Sequence, residues 1–170
     1  MEDEDYRVRM YAAANHNASP EVLLKAIGDE HFTVHIYAAI NPNATPEVLL
    51  KAMKDKDRDV REAAAKHPNA TSEVLLKAMG DKDWEVRWNA AKNPNATSEV
   101  LLKAMGDKDC RVRRSAAANS NFKKLDLTLQ QWLNLVSDGI SAKHVPSWVK
   151  KTSEYKTTRI LSKLAQKVAS

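Results

Sequence analysis

Apolar positions along this chain come in short blocks that return at a fixed step. Pro20-Glu21-Val22-Leu23-Leu24-Lys25-Ala26 recurs from Pro46 to Ala52, then from Ser72 to Ala78 and from Ser98 to Ala104, always 26 residues on. A second block keeps the same step. Val8, Val34, Val60, Val86 and Val112 are each followed, four and five residues later, by the alanine pairs 12/13, 38/39, 64/65, 90/91 and 116/117. A spacing of four between apolar positions is helical. Each unit predicts two short helices, and the chain holds four full units and a fifth half-unit over residues 1–121.

Local signals mark where these helices begin and end. Asp5, Asp57, Asp83 and Asp109, with His31 as the exception, stand at the N-cap of a first helix of about two to three turns. Asn-Pro or a relative stops it. Asn43-Ala44-Thr45-Pro46-Glu47 then offers a Thr N-cap, a proline at the first helical position and a glutamate matched to the helix dipole. Gly28, Gly80 or Gly106 closes the unit. So short a unit has no room for two long helices. The prediction is one short α-helix and a shorter α or 3₁₀ segment per unit, stacked into a solenoid.

Composition supports an all-α chain, since alanine, leucine and lysine dominate while aromatic residues make up 6% and glycines number four. The single cysteine, Cys110, excludes an internal disulfide and a cysteine-based zinc or iron-sulfur site. No run is long and apolar enough for a membrane span, and Glu2-Asp3-Glu4-Asp5 is acidic where a signal peptide would be basic. A cytoplasmic location is expected. Charge is uneven: residues 1–121 carry 18 Lys+Arg against 19 Asp+Glu, and residues 122–170 carry 9 against 3.

Val60-Arg61-x-x-Ala64-Ala65 with His67-Pro68-Asn69 and Leu75-Leu76, and the matching Val86-Arg87, Asn93-Pro94 and Leu101-Leu102, resemble the leucine-rich-repeat variant family. The Asp-x-x-Val-Arg signal is shared with HEAT-like repeats. The resemblance spans about residues 5–121 and implies a right-handed solenoid of alternating α and 3₁₀ helices that serves as a scaffold. A described member of that family carries a cysteine-ligated iron-sulfur cluster, for which this chain has no ligand set.

Repeats separate positions that must stay from positions that are free to change. Residues 58–83 and 84–109, one repeat length apart, differ only at Arg58/Trp84, Asp59/Glu85, Glu62/Trp88, Ala63/Asn89 and His67/Asn93. At about 100° per residue, the fixed Val and Ala positions fill an arc of roughly 200° to 340°, and the changing ones roughly 0° to 140°. One row of each first helix therefore varies in every unit. Tyr6, Phe32, Arg58, Trp84 and Cys110 form one column, and Met10, Ile36, Glu62, Trp88 and Arg114 another; Arg111 belongs to a third. Aromatic and arginine anchors on a constant frame suit protein recognition, so the expected partner-binding residues are Tyr6, Met10, Phe32, Ile36, Arg58, Glu62, Trp84, Trp88, Arg111 and Arg114.

Other repeated columns read as structural. Lys25, Lys51, Lys77 and Lys103 each follow a glutamate by four residues, the order of a local helical ion pair. Arg9, Arg61, Arg87 and Arg113, with His35 in the gap, run in step with Asp29, Asp55, Asp81 and Asp107, which predicts pairing between units. Asn17, Asn43, Asn69, Asn95 and Asn121 are expected to satisfy turn backbone. His31 and His35 share a helical face, yet spacing suggests no third metal ligand. No nucleophile with its base and no phosphate loop stands out, so neither catalysis, metal, cofactor nor small-molecule substrate is expected.

From Phe122 the period breaks. Leu129, Trp132, Leu133 and Val136 have the spacing of an amphipathic helix that Gly139 ends, a short helix follows around Pro146, Trp148 and Val149, and a longer one starts near Ser153. On that last helix Ile160, Leu161, Leu164 and Val168 share one face and Lys156, Arg159, Lys163 and Lys167 the next. Residues 122–170 are expected to cap the solenoid. The alternative function is nucleic-acid binding through Lys150, Lys151, Lys156, Arg159, Lys163 and Lys167, joined by Lys123 and Lys124 and by the arginines of the variable row.

Overall fold

The computed structural model describes residues 3–122, 127–137, 142, 145 and 147–168, without the side chains of Trp148 and of 163–168. Lys123, Lys124, Gly139 and Pro146 lie outside the described residues, as do the side chains of Lys163, Leu164, Lys167 and Val168. The chain is all-α. The first helix of each unit is α1 (Tyr6–Ala14), α3 (Phe32–Ile40), α5 (Arg58–Lys66), α7 (Trp84–Lys92) and α9 (Cys110–Ala118). The second is α2 (Pro20–Ala26), α4 (Pro46–Ala52), α6 (Ser72–Ala78) and α8 (Ser98–Met105). Consecutive first helices pack on one another, consecutive second helices do the same, and each second helix also packs on the first helix that follows, as in a helical repeat solenoid.

The predicted signals operate, with two corrections. Asp5, His31, Asp57 and Asp109 each accept the N–H two residues ahead, and Ser19 and Thr45 cap the helices that begin with Pro20 and Pro46. Asp83 occupies the same place but turns its carboxylate to Arg61, 2.6 Å away. The second elements are α-helical, so the 3₁₀ option drops out. Gly28, Gly80 and Gly106 lack a left-handed backbone, and Lys54 fills the equivalent place in the second unit.

The core is built from the fixed columns. Val34, Val60, Val86 and Val112, the alanine pairs beside them, and Leu23, Leu49, Leu75 and Leu101 are buried. Alanine at the contact lets successive helices approach closely, and each buried leucine stabilises the stack by about 1.5–3 kcal/mol. Val8 belongs to the same column but is 50% exposed, because no described unit covers it.

Two polar seams run through this apolar stack. In the first, Arg61 Nε and Nη2 donate to the Asp81 carboxylate of the next unit at 2.7 and 3.2 Å, while Nη1 donates to the carbonyls of Asp55 and Lys56 in its own. Arg9 makes the same bonds to Asp29, and Arg87 to Asp107. His35 substitutes with Nδ1 2.6 Å from Asp55 and Nε2 against the Asp29 carbonyl. Arg113 keeps its two carbonyl bonds, but twenty residues on stands Leu133, an apolar residue of the tail.

In the second seam Asn43, Asn69, Asn95 and Asn121 donate through Nδ2 to two carbonyls of the preceding unit. A deeper ladder joins it. Asn41, Asn93 and Asn119 are buried, accept the N–H two residues ahead, and donate to two carbonyls one unit back. His67 takes the same place: its Nδ1 accepts from the Asn69 N–H and its Nε2 donates to the Asn41 carbonyl, both at 3.0 Å. Such bonds contribute about 1 kcal/mol each, and leaving a buried partner unpaired costs more.

The tail packs through α10 (Leu129–Ser137), α11 (Ser147–Lys150) and α12 (Ser153–Val168). Trp132, Leu133, Leu135 and Val136 of α10 are buried, and Trp132 meets Phe122 edge-on at 5.7 Å. Tyr155 and Val149 are also buried, whereas Ile160 and Leu161 are 59% and 60% exposed. The buried face of the tail is thus supplied by α10, by Val149 of α11 and by the start of α12, and the apolar residues 160 and 161 turn outward.

His67 makes a pH prediction. Its bonds require the neutral ring, and burial pushes its pKa below the ordinary histidine value. A histidine held neutral in the fold stabilises it above the unfolded pKa of about 6.5, and that contribution declines as pH falls below it, by at most about 1.4 kcal/mol per pH unit. H67N, which restores the asparagine of the neighbouring units, should stay level with wild type at pH 8 and gain on it at pH 5 in urea unfolding. An unchanged difference between the two pH values would contradict this arrangement.

Candidate functional site

The varying row does not form one uniform face. Near the start, Tyr6 stacks on His31 with ring centroids 3.8 Å apart, and His31 lies 5.3 Å from Phe32. Met10 and Ile36 are half-buried and pack on the core, so they supply support rather than contact area. His31 Nδ1 accepts the Thr33 N–H while His35 is engaged in the arginine seam; the two histidines serve different structural bonds. Among the described residues no three metal-ligating side chains come together.

The middle of the row is ion-paired. Arg58 reaches Asp59 at 3.1 Å and Glu85 of the next unit at 3.5 Å, with Glu62 half-buried on the same helix. In the neighbouring column, Tyr11 is exposed, Tyr37 and Ala63 are half-buried, and Asn89 is buried, donating to the Glu85 carbonyl. That column dips below the surface at Asn89 and returns with Ser115 in the fifth unit.

At the far end Trp84, Trp88, Arg111 and Arg114 come together. Trp84 and Trp88 lie one turn apart on α7, and Arg111 and Arg114 three residues apart on α9, the next first helix. Between them opens a groove of about 640 Å³, lined also by Lys92, Pro94, Ser115, Ala118, Asn119 and Ser120. Both tryptophans are half-buried and packed on the core. The Arg111 guanidinium lies 3.3 Å from the Trp84 ring centre, and Lys92 Nζ lies 4.7 Å from that of Trp88. This covering is how two large rings stay tolerable at the surface.

Arg111 is held from its other side. Its Nε and Nη2 donate to the Asp109 carboxylate at 3.0 and 2.7 Å, and its guanidinium holds the Asp109 carboxyl down to about 2. Arg114 is exposed and makes no ion pair or hydrogen bond among the described residues. No carboxylate lines the groove, whereas three cations do.

Lys92, Pro94, Ser115, Ala118, Asn119 and Ser120 line the groove without having been expected there from the sequence. Lys92 was within reach of sequence reasoning, since it follows Trp88 by four residues and shares its helical face. On the tail, Lys151, Lys156 and Arg159 are exposed and Lys150 is half-buried, with the Arg159 guanidinium 3.5 Å from the Tyr155 hydroxyl. No helix among the described residues is long and apolar enough to cross a membrane. No protein-family model matches the chain, and no curated protein matches it at a significant level.

Removing the cation from Trp84 should uncover it. In a W88F background, R111A is expected to raise acrylamide quenching of tryptophan fluorescence, while stability falls by no more than about 1–2 kcal/mol. R114A should leave quenching unchanged. Equal quenching in R111A and R114A would contradict the stacked arrangement.

Proposed function

We propose that the chain is a non-enzymatic scaffold of the leucine-rich-repeat variant or HEAT-like kind, working in the cytoplasm, that binds a protein partner through the varying side of its first helices. The groove between α7 and α9 carries this reading. It gathers two tryptophans and two arginines, the residue types that dominate protein interfaces, from columns that change while the frame stays constant. Its ring faces also favour protein over nucleic acid. Single-stranded nucleic acid stacks its bases on open aromatic faces, and here a base would have to displace Arg111 from Trp84 or Lys92 from Trp88. An exposed Cys110 thiol fits a reducing compartment.

A displayed library of random dodecapeptides, selected on the full chain and counter-selected on W84A/W88A, tests the proposal. The expected outcome is a set of peptides that bind wild type and lose at least about tenfold in affinity on W84A/W88A, with both proteins still folded by circular dichroism. Peptides that bind both proteins equally, or none at all, would overturn it. Oligonucleotide binding that survives W84A/W88A and disappears in K150Q/K151Q/K156Q/R159Q would transfer the function to the tail.

A further inference from the structure

Most arginines of the solenoid are already engaged by the fold. Arg9, Arg61 and Arg87 are buried and each grips a carboxylate through two nitrogens. Arg58, although exposed, is balanced by Asp59 and Glu85. Three cations, Lys92, Arg111 and Arg114, line the groove with no carboxylate among the lining residues; Asp109 pairs with Arg111 from outside the lining, and Arg114 has no acidic partner among the described residues. This concentration is local, because residues 1–121 as a whole hold 18 Lys+Arg against 19 Asp+Glu.

Resting on the protein-binding reading above, we infer that the occupant of this groove is an extended acidic peptide segment carrying apolar side chains between its carboxylates. Arg111 is prepared for such a ligand: it lies over the Trp84 ring and Asp109 takes Nε and Nη2, which leaves Nη1 without a bond among the described residues. Arg114 has all its donors available among the described residues and breaks no internal bond when it engages a ligand. The spacing suits an extended chain. Residues three apart on a helix present Cβ atoms about 5–6 Å apart, and alternate residues of an extended strand lie about 6.6–6.8 Å apart on one side. Two carboxylates at alternate positions therefore reach Arg111 and Arg114. The intervening residues have Trp84, Trp88, Pro94 and Ala118 as an apolar wall. A charged guanidinium pairing with a carboxylate beside a ring is a stronger and more directional contact than the ammonium groups of the tail offer.

The test is fluorescence polarisation on the full chain with three labelled probes: a peptide alternating Glu with Leu and Phe, the same peptide with Gln for Glu, and a uridine dodecamer. The Glu peptide should bind at least about tenfold more tightly than its Gln isostere, and R114Q should weaken it by at least about fivefold. R111Q/R114Q should weaken it further, and R58Q, whose arginine is already paired outside the groove, should change it by less than about twofold. R114Q removes no internal contact, so its effect does not depend on a variant that misfolds. Equal affinity for the Glu and Gln peptides, no effect of R114Q, or tighter binding of the uridine dodecamer would each overturn the inference. If selected peptides require Trp84 and Trp88 but carry no acid, this inference fails and the protein-binding reading stands; if none require them, both fail.

Discussion

The structure depends on one contact repeated along the stack: an arginine in one unit gripping an aspartate in the next, out of water. Arg61 with Asp81 and Arg87 with Asp107 are both almost fully buried, with bonds of 2.6 to 3.2 Å. A buried ion pair adds less than its geometry suggests, because both ions must leave water, yet losing one partner strands the other at a cost of several kcal/mol. Its value here is register. A unit that slides or rotates against its neighbour breaks the Arg–Asp bonds and both asparagine ladders together, while the Val, Ala and Leu contacts alone would tolerate many arrangements.

That register explains where chemistry is possible. Because the frame fixes its own arginines, a cation elsewhere is fully available only if no acidic residue beside it or in the next unit meets it. In the middle units Arg58 is met by Glu85. At the fifth unit the varying row becomes arginine at two positions, 111 and 114, and the tryptophans of the fourth unit lie beside them. The groove thus arises at the junction of two units and belongs to neither alone. Its contact between Trp84 and Arg111 spans one repeat plus one residue.

Much of the fold was legible in the sequence. The 26-residue step placed the helices, the aspartate caps marked their starts, and the parallel Arg and Asp columns pointed to pairing across units. The deeper ladder of Asn41, His67, Asn93 and Asn119 was not, because a polar residue at a helix end reads as part of an ordinary turn and nothing local says that its side chain reaches back a whole unit. The burial of Asn89 was hidden too, since it stands in a column whose other members reach the surface. Residues 160 and 161 show the converse failure. Helical periodicity groups apolar positions correctly but does not decide whether another element covers them, and among the described side chains of α12 the buried one is Tyr155.

The claim that buried pairs hold the units in register is tested most directly by a double-mutant cycle on Arg87 and Asp107, with R87M, D107N and the double variant measured by urea unfolding. D107N keeps an oxygen for the Asp109 N–H, so the cycle isolates the ion pair. Each single variant should lose about 3–5 kcal/mol and the pair should couple by more than about 2 kcal/mol. A coupling below about 0.5 kcal/mol, the level of a solvated surface pair, would show that apolar packing alone sets the stack.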